Sequence, residues 1–182
     1  METIIYITLT IVLIIILIIL SKYNQMIKLL NKVKKSSANI EIYLKKRFDL
    51  IPNLVECVKG YSKYEKDTLE NIISLRKDYD SHQDLNIKEA TIMNNQLNKY
   101  LAIVENYPEL KANEQYLSLQ RQLNDIENEL VYTRRTYNEE VTKYNTLIET
   151  IPSNIVASMF AFKKAELFQI SKEEEKNIKI KL

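Results

Sequence analysis

Glycine occurs once in this 182-residue chain, proline three times, and cysteine and histidine once each. Sheet architectures need many tight turns, and tight turns lean on glycine and proline, so a β-sandwich or a doubly wound sheet is close to excluded. A single cysteine rules out a disulfide framework. With a single histidine beside it, a zinc finger or a His-rich metal site cannot be assembled either. Charge of one sign is also lacking: 26 basic against 24 acidic residues leave a net +2, which gives nucleic acid no electrostatic footprint.

What the chain does have is one long uncharged run. Residues 3–21 are mostly Ile, Leu and Val, and at ~1.5 Å per helical residue they span roughly 28 Å, close to the ~30 Å hydrocarbon core of a bilayer. A buried core helix would carry polar residues at helical spacing, and residues 11–20 carry none. A cleaved signal peptide would begin with basic residues and end in small ones; here Glu2 is acidic and Ser21-Lys22-Tyr23 is no cleavage site. The run therefore predicts a transmembrane anchor over residues 1–22. Lys22, Lys28, Lys32, Lys34 and Lys35 follow it, opposed only by Glu41. Excess lysine marks the cytoplasmic flank, so the N-terminus is expected outside and the remainder in the cytoplasm. The same five lysines are candidate contacts for lipid headgroups.

Beyond the anchor the apolar residues recur at steps of three and four. One stripe runs through Tyr23, Met26, Leu30, Val33, Ile40, Leu44, Ile51, Leu54, Val58 and Tyr61. A second runs through Tyr116, Leu119, Leu123, Ile126, Leu130, Thr133 and Tyr137, then slips by one residue to Val141, Tyr144, Ile148 and Ile151. Such stripes bury against other helices, and the slip suits a bundle better than a long regular coiled coil. The spacing predicts an all-α helical bundle over residues 23–168, followed by a Lys/Glu-rich tail over 169–182. Asp80-Ser81-His82-Gln83-Asp84 reads as a loop. Asn106-Tyr107-Pro108 ends one helix, Asn113 begins the next, and Pro152 closes the longest, with Ser153 and Asn154 available to cap a short final one. Pro52 leaves two readings open. The stripe keeps phase across it, as in one kinked helix, yet an unbroken helix from Tyr23 would be ~85 Å long beside a ~29 Å neighbour.

Several unbroken motifs in this chain resemble the LemA family. They are Arg47-Phe48-Asp49-Leu50-Ile51-Pro52-Asn53-Leu54-Val55 with Val58-Lys59-Gly60-Tyr61, then Glu105-Asn106-Tyr107-Pro108-Glu109-Leu110-Lys111-Ala112-Asn113. Arg134-Arg135-Thr136-Tyr137-Asn138, Tyr144-Asn145 and Ile151-Pro152-Ser153-Asn154 complete the set. The resemblance implies a single-pass bacterial membrane protein with a four-helix antiparallel bundle, no assigned catalytic residues and a split at Pro52. This chain departs from the family pattern at Ser37 (usually Trp), Tyr64 (His), Ala161 (Gly) and Glu166-Leu167 (Pro-Tyr).

Polar residues on apolar stripes are the remaining clue. Arg47 falls between Leu44 and Ile51, where an apolar residue belongs, and Tyr137-Asn138 repeats one heptad later as Tyr144-Asn145. A guanidinium buried without a partner costs several kcal/mol. Arg47, Asp49, Arg134, Arg135, Tyr137 and Tyr144 are accordingly expected to form a polar network that fixes helix register, the alternative being a ligand or partner site within the bundle. Cys57 reads as a small half-buried hydrophobe, because Lys59 points to another face. Lone His82 cannot supply a di-iron bundle, leaving Glu127 and Glu129 solvated or paired with basic residues. The apolar stretch 155–164 either closes the bundle or lies on the membrane surface.

No catalytic, cofactor or metal site emerges, nor a small-molecule substrate. The expected partners are the lipid bilayer and other proteins or a second copy. Function is then expected to be that of a membrane-anchored, non-enzymatic scaffold. The alternative is a regulatory adaptor of an integral membrane enzyme, such as an envelope quality-control protease.

Overall fold

The computed structural model describes residues 1–59, 66–81, 87–104 and 113–168. They form α1 (Glu2–Asp49), α2 (Ile51–Lys59), α3 (Lys66–Ser81), α4 (Ile87–Val104), α5 (Glu114–Glu149) and α6 (Ser153–Met159). Among the described residues there is no strand, as the stripes and the scarcity of turn residues predict. His82, Asn106-Tyr107-Pro108 and the tail from residue 169 lie outside them. The chain divides into two compact units, Ser37–Arg134 and Met1–Ser36 with Arg135–Leu182.

In the first unit four helical columns share one core. Phe48, Ile51, Leu54, Val55 and Val58 come from the end of α1 and from α2, and they meet Ile72 and Leu75 of α3, Leu97 of α4, and Tyr116, Leu119 and Leu123 of α5. Each such side chain stabilises the fold by roughly 1.5–3 kcal/mol through burial. The columns run antiparallel. The end of α3 returns to α1, where Tyr79 stacks on Phe48 at 4.2 Å between ring centroids and its hydroxyl donates to the Glu41 carbonyl at 3.4 Å. Asn113 starts α5 as the sequence suggests, its Oδ1 accepting from the N–H groups of Gln115 (2.9 Å) and Tyr116 (3.1 Å).

The break at Pro52 is a single residue wide. α1 ends at Asp49 and α2 begins at Ile51. Proline has no N–H to give the carbonyl one turn back, so the ladder tightens to Leu50 N–H with Arg47 C=O at 3.2 Å and resumes at Leu54 N–H with Leu50 C=O at 3.1 Å. The stripe thus keeps its phase while the helix is interrupted. The chain keeps its direction across Pro52, since the ladder resumes at once.

In the second unit α1 supplies the apolar N-terminal stretch, none of whose side chains is buried. Past it, Met26 and Val33 are buried, as are Tyr137, Val141, Tyr144 and Ile148 of α5. Two expectations fail here. Ile151 leaves the stripe and is 83% exposed, because α5 ends at Glu149 and the chain turns before it. Neither Ser153 nor Asn154 caps α6: the cap position falls on Pro152, which has no side-chain acceptor, and Ser153 is buried instead. α6 closes in a Schellman motif, with Phe162 N–H bonding Ala157 C=O at 2.9 Å and Ala161 N–H bonding Ser158 C=O at 3.2 Å. Ala161 takes the left-handed conformation this motif demands, at φ 54°. It is the position where the LemA pattern tends to glycine, the residue that pays no steric penalty there. From Phe162 to Phe168 the chain has no regular secondary structure.

Candidate functional site

Two polar clusters stand out, one within each unit. The first is built on Arg47. Helical spacing from Leu44 and Ile51 turns its side chain inward, and it is only 4% exposed. Its Nη1 donates to Glu127 Oε2 at 2.5 Å and also to Asn94 Oδ1, and its Nη2 donates to Asn98 Oδ1 at 2.5 Å. Asn94 and Asn98 sit four apart on α4, so one face of that helix presents both carbonyl oxygens. Glu127 reaches back to Arg134, whose Nη1 lies 3.6 Å from Oε1. One carboxylate thus bridges two guanidinium groups. Beside them the Tyr43 hydroxyl is pushed up from its ordinary pKa chiefly by its hydrogen bond to Glu129.

The second cluster is a ladder. Tyr137 and Tyr144 are buried on the α5 stripe, and Asn138 and Asn145 follow them at the edge of the same face. Asn145 Nδ2 donates to Ala165 C=O at 2.9 Å while its Oδ1 accepts Ala165 N–H at 2.9 Å. Asn138 repeats this pairing with Phe168, at 2.9 and 2.7 Å. The Tyr144 hydroxyl donates to Lys163 C=O and the Tyr137 hydroxyl to Glu166 C=O, each at 2.9 Å. The spacing matches because seven helical residues rise ~10.5 Å and three extended residues cover about 10 Å. Segment 162–168 therefore runs antiparallel along α5, and every one of these six bonds reaches its backbone. Burial raises both tyrosine hydroxyls above their ordinary range, with Glu166 adding to the effect at Tyr137. They stay protonated donors at neutral pH.

The six network candidates do not converge on one place. Arg47 and Arg134 share Glu127, whereas Tyr137 and Tyr144 hold the 162–168 segment. Asp49 is an exposed residue 3.9 Å from Arg76. Arg135 is exposed and pairs with Glu139 one turn on, at 3.2 Å. Among the lysine candidates, Lys22 is half-buried and Lys28, Lys32, Lys34 and Lys35 are exposed on α1. Cys57 is half-buried on α2. Sequence reasoning missed Asn94 and Asn98 as partners of Arg47 and gave the asparagines of the ladder no role. Asn94 carried a signal: it interrupts the steps Ala90, Leu97, Leu101, Val104 on α4, just as Arg47 interrupts the stripe of α1.

Chemically, both clusters join protein groups to one another. Among the described residues no three His, Cys, Asp or Glu side chains are grouped to hold a metal.

The chain is 26% identical over 159 residues to Protein LemA of Metamycoplasma hominis, covering 85% of this chain and 72% of that one. It is 22% identical over 179 residues to Magnetosome protein MamQ 2 of Paramagnetospirillum magneticum, covering 83% of this chain and 66% of that one. A similar match, 22% over 178 residues and 65% of the relative, is found with Magnetosome protein MamQ of Magnetospirillum gryphiswaldense. α1 also contains one stretch long and apolar enough to cross a membrane, consistent with a membrane-associated protein of this type. The model of the LemA family matches residues 36–182, most of the sequence, and the chain belongs to that family.

Proposed function

We propose that this protein is a membrane-anchored helical module without catalytic activity that organises or recruits other proteins, with its bundle on the cytoplasmic side. The observation that carries this reading is the continuity of α1. The helix that holds the apolar stretch runs without a break to Asp49 and supplies Arg47 and Phe48 to the helical core. The side follows from the lysine bias after the span. The buried polar groups are spent on internal register, which suits a rigid platform better than a reaction centre.

The test is cross-linking in intact membranes followed by capture of the tagged full chain. Self-association or several partners is the outcome expected of a scaffold. A single stoichiometric membrane enzyme would replace that role with a regulatory adaptor's.

A further inference from the structure

α6 is apolar on both of its faces. Val156, Ala157 and Ser153 are buried on one face. On the opposite face Ile155 and Met159, four apart and therefore aligned, are 63% and 60% exposed, and at the helix end Phe160, one turn past the buried Val156, is still 48% exposed. Leaving such side chains in water forgoes roughly 1.5–3 kcal/mol each. Something apolar should cover them.

The position of this face along α1 identifies the cover. The Tyr23 ring lies 4.8 Å from the ring of Phe160 and 5.7 Å from that of Phe162, centroid to centroid. Tyr23 is two residues past the end of the uncharged run at Ser21, so ~3 Å of helix rise separates this aromatic trio from the end of the span. That is the depth at which Tyr sits in a bilayer interface and at which interfacial helices bury Phe. Charge agrees: Lys22 on α1 and Lys163 and Lys164 after the aromatics outnumber Glu149, which pairs with Lys164.

We propose that α6 is a second membrane contact, a short interfacial helix whose Ile155, Met159 and Phe160 side chains enter the headgroup–acyl boundary beside the span. This rests on the anchor reading above. One face of α6 packs on its own unit and the other meets lipid, so α1 and the end of α5 are fixed to the bilayer at two points. A single span can rotate about its axis, and a second contact removes that freedom.

Because the chain contains no tryptophan, one introduced tryptophan is a unique reporter of depth. Three full-length variants, Met159→Trp, Leu13→Trp and Glu139→Trp, would be reconstituted into vesicles of phosphatidylcholine and phosphatidylglycerol. The lipids carry bromine either near the headgroup or near the acyl-chain end. Met159→Trp should emit at shorter wavelength than Glu139→Trp and lose emission to the shallow bromines. Leu13→Trp should lose it to the deep ones, and Glu139→Trp, ~15 Å along α5 from Glu149, to neither. Quenching of Leu13→Trp with none at Met159→Trp would overturn the interfacial helix and leave the anchor standing. A blue-shifted but unquenched Met159→Trp would mean that protein covers this face. No quenching at Leu13→Trp would overturn the anchor, and the interfacial helix with it.

Discussion

Asn145 grips Ala165 with both edges of its amide, donating to the carbonyl and accepting from the N–H at 2.9 Å each. A side chain that pairs with a peptide unit in this way mimics a neighbouring strand. It satisfies the extended segment's backbone without regard to the residues that segment carries.

Asn145→Asp tests this pairing. Aspartate can accept from the N–H but has no donor for the carbonyl, and leaving a buried polar group unmatched costs ~1–3 kcal/mol. Hydrogen exchange at the Ala165 amide should speed up, while the Phe168 amide, held by Asn138, should keep most of its protection. Equal loss at both amides would mean that the two rungs act as one unit.

Arg47→Met should be far more damaging than Lys46→Met. Removing Arg47 leaves Glu127 facing Arg134 alone and strips Asn94 and Asn98 of their donor, with an expected loss of ~3–5 kcal/mol. Lys46 is exposed and lies over the Tyr43 ring at 5.0 Å, a contact worth about 0.5–1 kcal/mol. Urea unfolding of the chain in detergent measures both. Combining Arg47→Met with Glu127→Leu should cost less than the two losses added, because the second change removes the charge stranded by the first.

The stripes make the helices and the burial of Arg47, Tyr137 and Tyr144 legible in the sequence, since a 3–4 spacing fixes which side chains turn inward. The partners are not legible in the same way. Arg47 meets groups 47, 51 and 80 positions away, and only the three-dimensional packing of α4 and α5 brings them near. The ladder is hidden for a different reason. It reads backbone, so residues 163–168 need no recognisable pattern. Ile151 shows the limit of periodicity, which carries the stripe past Glu149 although the helix has already ended.

Ala161→Gly should stabilise the protein. A left-handed residue with a Cβ pays roughly 1–2 kcal/mol, of which glycine returns ~0.4–1 kcal/mol through the freedom of its unfolded chain. A net gain of about 0.5–1 kcal/mol is expected in thermal unfolding, with Ala161→Val moving the other way.

Alkaline pH should weaken the fold. Burial, aided by Glu41, Asp49 and Asp80, pushes the Tyr79 hydroxyl up to about 12, and burial raises Tyr137 and Tyr144 as well. Unfolded tyrosine titrates near ~10. Below that pH both states hold their protons and the stabilisation is complete. Above it the unfolded chain gives up protons that the folded chain keeps, so stability falls as pH rises toward 12. The urea midpoint should drop across this window, and Tyr79→Phe should lessen the drop, since it removes the titrating hydroxyl at the cost of a long 3.4 Å contact with Glu41.

The most direct measurement concerns the anchor and the side on which the bundle lies. Cys57 is half-buried, so it is first changed to Ser, and a cysteine is introduced by Gln96→Cys at an exposed site on α4. A membrane-impermeant maleimide applied to protoplasts expressing the full chain should leave this cysteine unlabelled, and should label it in the membrane fraction after lysis. Labelling of intact protoplasts would put the bundle outside the cell and contradict the proposed orientation. Recovery of the protein in the soluble fraction after lysis would contradict the anchor itself.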